Sequence, residues 1–563
     1  MQKVNLVRYL RWSALAALVV APLLLLLVVG LRPSWFTSAP VLAEPRSVPT
    51  GDQEIAWINT TTNGPTWERF VTGLKRLEMR LPGVHIDDAE AFLDQTTAVP
   101  EVVVRKDGHA GALHIRWYKI SSEVTTAHWV RSLAGRDPAP LAIIGGGSSD
   151  RAYELAQSLE HQLAWHGDRP LFLLTTATAD AVYSDANDQP PGSSLIDVPR
   201  MIDIYKGRSF RFCFTNRQMA EAVTDFVFAD PSLRPGPVLW PGLRMVPLAA
   251  GGVWSALGGV PDFLIESPPH VFSTAWQDDP YSVDLSWQFK DAIRQRFLPR
   301  EDEEFPFNPR FHQYDVPFGV GSFYAPNRYE AEIVDAIVAD LPPQGERSLL
   351  VLPTTSPPAR RFLRTLCEAA PFAEQRLVAI TGDGFGMNII YRDSEFAWPV
   401  RSLPIPLVMF SHNQPFCWDA AAATKANSDY ALRPPNSTED VLHFTELGRQ
   451  VIEAVFPSNG DSSNAEQPGL TLKNGLVSRA DQMAERLRNQ SPAFFDANGD
   501  RLSRTGEYVV VLRPTVIGEA PVVPAPPDAT IEVYRRGTGG KGWDRLQTLP
   551  LHQTRRVLSG AMP

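Results

Sequence analysis

The residues able to do chemistry stand in turns rather than inside regular runs. Ser148 and Ser149 close the stretch Gly145-Gly146-Gly147-Ser148-Ser149, which follows an apolar run at 141–144 and opens a helical pattern. Hydroxyls and free amides at a helix N-terminus suit an anion such as a carboxylate. The competing use is a serine that caps its own helix. Asp383 stands in Gly382-Asp383-Gly384, after the apolar run 377–380. A carboxylate there pairs with an ammonium group, or serves the turn itself, where Asp and Gly prevail.

Those turns need elements to hold them. Residues 54–59, 113–120, 141–144 and 171–174 read as strands. Trp67, Phe70, Val71, Leu74, Leu77 and Leu81 fall at helical spacing, as do Ala152, Leu155, Ala156, Leu159 and Leu163. A second series places helices at about 218–228, from 280 through 297, and at 330–341, 359–368 and 440–456. Its strands fall at 271–274, 349–352, 377–380 and 406–410. The tail, 508–512 and 531–534, reads as antiparallel strands after the turn 496–500. Repeated strand, polar turn and amphipathic helix, in two successive series, predict an α/β fold with a parallel sheet and helices on both faces. In such sheets ligands bind outside the carboxyl ends of the strands, where Ser148, Ser149 and Asp383 stand.

Composition narrows the class. The chain has 563 residues, 50 prolines, 38 glycines and a formal net charge of −10. Proline so frequent disfavours a helical bundle, and the acidic balance argues against a nucleic-acid partner. Three cysteines (Cys213, Cys367 and Cys417) form neither a metal-like pair nor a disulfide framework, and no cofactor or metal motif is present. Residues 12–31 are uncharged and apolar, preceded by Lys3, Arg8 and Arg11. Their length matches a membrane-crossing helix. The charge bias places 1–11 in the cytoplasm and the bulk of the chain outside the cell membrane, on the periplasmic side. A cleaved signal peptide is the competing reading, with a shorter apolar region. The Pro- and Ser-rich 32–50 reads as a tether.

The order of parts resembles the type I periplasmic-binding-protein family: the substrate-binding components of amino-acid ABC importers and related receptor domains. The stretches that carry the resemblance are IAWINTTTNGPTWERFVTGLKRL, LAIIGGGSSDRAYELAQSL, LFLLTTATADAVY, FRFCFTNRQMAEAVTDFV, WQDDPYSVDLSWQFKDAI, LVAITGDGFGMN and FFDANGDRLSRTGEYVVVLRP. They keep family order over most of residues 54–546. The chain departs from the family in inserts at about 231–269, 393–404 and 457–468, and in its membrane segment. The resemblance implies two lobes, 51–207 with about 425–490, and about 208–424 with 491–550, followed by a tail at 551–563. It implies that Ser148, Ser149, Ala177 and Thr178 hold a ligand's α-carboxylate. Asp383 meets its ammonium group, Trp67 serves as an apolar lid or as core, and Tyr281 is structural or stands at the cleft edge.

The function so implied is a membrane-anchored, extracytoplasmic solute-binding protein. It closes on a small amphoteric, amino-acid-like ligand without making or breaking a bond, for import with an ABC permease or for sensing with a signalling partner. A receptor-like or scaffold protein with the same fold and no pocket is the alternative. A hydrolase reading rests on Asp440-Val441-Leu442-His443, which is similar to the Asp-x-x-His block of GDSL-type esterases but lacks their Gly-Asp-Ser turn. The glycine run before Asp150 is a partial dinucleotide fingerprint without its third glycine. Asp496 to Glu507 has calcium-loop spacing, but Arg501 stands where the loop requires glycine.

Overall fold

The structure, a computed structural model, describes residues 44–182, 199–237, 269–297, 309–317, 328–341, 346–369, 376–384, 405–414, 438–457, 479–503, 506–513, 530–537, 540 and 542–550. The first sheet holds β1 (Gln53–Thr60), β2 (Val84–Asp87), β3 (Glu101–Lys106), β4 (Leu113–Ile120), β5 (Ala142–Gly145), β6 (Leu171–Leu174) and β7 (Ser209–Arg211), in the order β2-β3-β4-β1-β5-β6-β7. The second holds β8 (Gly236–Pro237), β9 (His270–Trp276), β10 (Arg310–Val316), β11 (Glu346–Val351), β12 (Leu377–Thr381), β13 (Leu407–Ser411), β14 (Tyr508–Arg513), β15 (Thr530–Arg536) and β16 (Trp543–Pro550). Its main path runs β10-β9-β11-β12-β13-β14-β15-β16. Each sheet has five neighbouring parallel strands in which the first strand of its series lies between the second and the third. Each therefore has a switch point where the strand order reverses, and a crevice opens at the carboxyl ends there.

The helices are α1 (Gly64–Arg80), α2 (Thr126–Ala134), α3 (Ser149–His161), α4 (Met201–Ile204), α5 (Asn216–Ala229), α6 (Pro280–Phe297), α7 (Arg328–Ala339), α8 (Ser356–Ala369), α9 (Thr438–Val455) and α10 (Arg479–Arg488). The first sheet has one core on each face, around Trp57 and Phe70 on one side and Ile58, Tyr118 and Trp129 on the other. The second sheet is covered on both faces in the same way. Coverage of both faces explains why β1, β5, β6 and β12 are buried along their length instead of alternating. α9 returns to the first lobe and crosses α1 closely. A Cβ on Gly73 would lie 2.9 Å from the Thr445 nitrogen, and one on Gly448 would lie 2.6 Å from Leu74 Cδ2. Only glycine permits that approach.

The predicted strands and helices are present, with additions the sequence pattern did not declare. β2 and β3 form an antiparallel edge on the first sheet. β10 is a half-exposed edge strand, and β16 extends the antiparallel tail. The lobe boundaries also move. β7 pairs with β6 in the first sheet, and Phe495 packs on Phe210 and Phe212 in the first core. The chain thus leaves the first lobe after Phe212 rather than at 207. Residues 491–500 stay with the first lobe, because their aromatic side chains are spent there.

The expected tether is shorter than 32–50. Arg116 donates to the Arg46 and Ser47 carbonyls at 2.9 and 3.1 Å, and Arg136 donates to Arg46 O at 2.6 Å. Arg116 is itself held between Glu54 and Glu101, each at 2.8 Å. This buried charge network pins 46–47 to the first lobe. Among the described residues no helix is long and apolar enough to cross a membrane. The predicted span 12–31 lies outside the described residues, as do 1–11, most of the insert 231–269, the inserts 393–404 and 458–468, and the tail 551–563.

Candidate functional site

β5 ends at Gly145, and the chain enters α3 through Ser148, whose extended backbone marks the cap position but whose side chain makes no cap bond. Ser148 is exposed, whereas Ser149 is buried and its Oγ accepts the Ala179 N–H at 3.4 Å. The turn after β6 leans on the turn after β5. Thr176 donates its hydroxyl to Gly146 O at 2.7 Å, and a Cβ on Gly146 would touch Ala177. Ala177 and Thr178 are therefore packed in, at 0% and 1% exposure, and Thr178 Oγ1 has no partner. Neither side chain lines the cavity between the lobes. The face of this turn that opens is Thr175-Thr176.

In the second lobe Asp383 follows β12. Tyr281 donates its hydroxyl to Asp383 Oδ1 at 3.0 Å and accepts the Gly384 N–H at 3.0 Å. Tyr281 thus sets the Asp383 turn. Burial, then the Asp383 charge, holds the phenol far above its usual range. His412, just past β13, bonds Asp383 Oδ2 through Nε2 at 2.7 Å, while its Nδ1 accepts the Phe214 N–H at 3.3 Å. A ring nitrogen that accepts from an amide carries no proton, so His412 is the neutral tautomer with hydrogen on Nε2. The Asp383 charge is therefore met by two neutral donors.

A cavity of about 60 Å³ lies between the lobes. Asp383, Phe410, Ser411 and His412 line it from the second lobe, and Thr175 and Thr176 from the first; α9 adds Glu439, Asp440 and His443. His443 is 7% exposed and bonds Thr175 O through Nε2 at 2.9 Å. Burial, then the neighbouring His412 and Arg501, pushes its pKa well below the usual range, so the ring is neutral. Of the predicted ligand residues Asp383 lines this cavity. Trp67 does not: it is 3% exposed, donates to Ala91 O at 2.7 Å and packs on Trp57 and Trp117. Its use is the core, not a lid.

Sequence reasoning missed His412 and Ser411, although the strand-end rule that picked out Asp383 applies equally to the end of β13. It weighed His443 only as part of an esterase block. That block does not assemble: Asp440 pairs with Arg69 at 3.0 Å and His443 bonds a carbonyl. The calcium-loop spacing folds as a closed turn, with Asp496 Oδ1 accepting the Asn498 and Asp500 N–H groups at 2.8 and 3.0 Å. Among the described residues no group of three or more acidic, His or Cys side chains is placed to hold a metal.

A second contact joins the lobes behind the cavity. Asp284 of α6 accepts the Asp180 N–H from the first lobe at 2.9 Å and the Asn216 amide at 2.8 Å. Burial, then the charge of Asp180, raises Asp284 to about 7. Asp180 also faces the fully buried Arg211 at 3.4 Å, which Asp500 approaches at the same distance.

Solved structures with a similar plan are ABC-transporter substrate-binding proteins. One from Desulfitobacterium hafniense is 13% identical, with 84% of this chain and 98% of that one covered and a TM-score of 0.44. The leucine-binding protein LivK of Thermotoga maritima is 14% identical, with 88% and 98% covered and a TM-score of 0.44. A solute-binding protein of Rhodopseudomonas palustris, solved with p-hydroxybenzoic acid, is 9% identical, with 89% and 97% covered and a TM-score of 0.43. No protein-family model matches the chain, and no curated protein matches it.

Proposed function

We propose that this chain is an extracytoplasmic solute-binding protein that takes a small ammonium-bearing ligand, an amino acid or an amine, between its lobes. One observation carries the reading: Asp383, an anion bonded only to neutral donors, borders an interlobe cavity completed by Thr175 and His443 of the first lobe. A ligand touching both walls stabilises the closed arrangement over an open one. Isothermal titration of the protein against amino acids and small amines is expected to show saturable binding that Asp383→Ala abolishes. Heat signals unchanged in Asp383→Ala would sink the assignment of the site.

The apolar run at 12–31 supports anchoring of the body at the cell membrane, with an ABC permease or a signalling protein as partner. Membrane fractionation with N-terminal sequencing tests the uncleaved anchor. A second reading, an assembly scaffold, is favoured by the size of the cavity, which has room for roughly four waters at about 60 Å³. A scaffold binds no amino acid and no amine in the same titration.

A further inference from the structure

The direction of the hydrogen bonds around the cavity defines the group that fits it. Thr176 spends its hydroxyl on Gly146 O, and Ser411 has its hydroxyl within reach of Asn413 O and Glu439. The N–H groups of His412 and His443 and the hydroxyl of Tyr281 are likewise committed to Asp383 or Thr175. What remains is lone pairs. Asp383 keeps acceptor capacity on both oxygens. His443, more than nine-tenths buried, lines the cavity with its Nε2–H already given away, which leaves the unpartnered Nδ1 as an acceptor. The Thr175 hydroxyl, in the same lining, accepts as readily as it donates.

The turn at Ser148 is unfavourable to a carboxylate. A helix N-terminus attracts an anion through its free amides, and α3 and α9 both begin where the lobes meet. Each already carries its own acid in the first turn: Asp150 in α3, Glu439 and Asp440 in α9. Asp279, facing α3 from the second lobe, is raised to about 6 by burial and then by the charges of Asp278 and Asp150. A ligand carboxylate beside Ser148 would enter a field that already resists negative charge.

We infer that the ligand is a small primary amine without a carboxylate, its ammonium group seated against Asp383 and the Nδ1 lone pair of His443. The inference rests on the solute-binding reading and narrows it. Three N–H donors meet acceptors from both lobes, and Asp383 gains the charge partner it lacks.

The test is isothermal titration of the full chain in lipid nanodiscs against n-propylamine, 1,4-diaminobutane, tetramethylammonium, glycine and L-leucine. The amines are expected to bind. Tetramethylammonium, which has no N–H, and both amino acids are expected at least tenfold weaker. Asp383→Asn is expected to weaken propylamine at least a hundredfold, and His443→Phe at least tenfold, with circular dichroism unchanged. The wild-type panel decides the matter even where a variant fails to fold. Glycine or leucine binding more tightly than propylamine overturns the inference and keeps the solute-binding reading. Binding by none of the five overturns both. Propylamine binding unchanged in Asp383→Asn overturns the assigned seat.

Discussion

In the first lobe, Arg116 lies between Glu54 and Glu101, and His114 between Glu101 and Asp52, with Tyr118 donating to Glu54 at 2.7 Å. Both ring nitrogens of His114 bond carboxylates, so the ring is an imidazolium. Its bond to Glu101 holds the pKa up against burial, helped by Asp52. At the seam between the lobes the same residue types are matched differently. Asp284 faces Asp180, Asp279 senses Asp150, and Asp383 has neutral donors only. Cations answer anions where the chain fastens a strap. Where the lobes meet the match is incomplete: Arg211 answers Asp180 and Asp500, but Asp284 faces Asp180 and Asp383 meets only dipoles. The difference separates a structural network from a site.

The comparison can be broken first at Arg116, which is 3% exposed. Arg116→Met leaves Glu54 and Glu101 buried without their main cation and is expected to cost about 3–5 kcal/mol. Urea unfolding of the variant measures it, and a loss below about 1 kcal/mol would show that the network is not structural.

The second prediction uses pH, because the two regions carry shifts of opposite sign. Burial raises Glu101, but the His114 bond and the charge and bond of Arg116 outweigh it and hold the group at about 2, below its ordinary 4.5. Its contribution is complete above about pH 4.5 and disappears as pH falls toward 2. Asp284, raised from 3.8 to about 7, contributes fully below about pH 3.8 and loses that contribution as pH rises through 7. Acidification is therefore expected to close the stability gap between wild type and Glu101→Gln. A rise from pH 4 to 8 is expected to favour Asp284→Asn over wild type. Thermal melts from about pH 2 to 8 check both, and parallel pH curves for the two pairs would collapse the distinction.

A third test addresses the stitch between the regions. Gly499 has φ +97°, and a Cβ there would lie 2.3 Å from Ser209 O. Its own carbonyl accepts the Arg211 N–H at 2.8 Å. Gly499→Ala is expected to cost about 1–3 kcal/mol and to loosen Arg211 from Asp500, read as faster amide exchange at Arg211.

The smallest effects contrast two caps. Thr215 makes a full capping box with Gln218, whereas Ser148 makes no cap bond. Thr215→Ala is expected to cost about 1 kcal/mol, and Ser148→Ala less than about 0.5 kcal/mol. Equal losses would mean that Ser148 caps α3 in solution and is not held open at the seam.

Much of the fold was legible because it is local. The apolar stripe of α1, the glycine turn before α3 and the strand series are periodic patterns within a few residues of one another. β3 and β10 escaped notice: their charged residues look like loop in one dimension and find partners only across the sheet. In the site, Asp383 was legible as a residue just past a strand end. His443 was not, since what gives it meaning is the Thr175 carbonyl 268 residues earlier.

The sequence by itself determined the elements, their order and the acidic, cysteine-poor character of the chain, because periodicity, turn residues and composition are properties of short windows. Only the tertiary structure decided which strand ends meet. It put Trp67 in the core and Thr178 behind its turn, and it brought Asp383, His412 and His443 around one cavity. The physical reason is that burial and hydrogen-bond direction depend on neighbours far along the chain, and no window of sequence contains them.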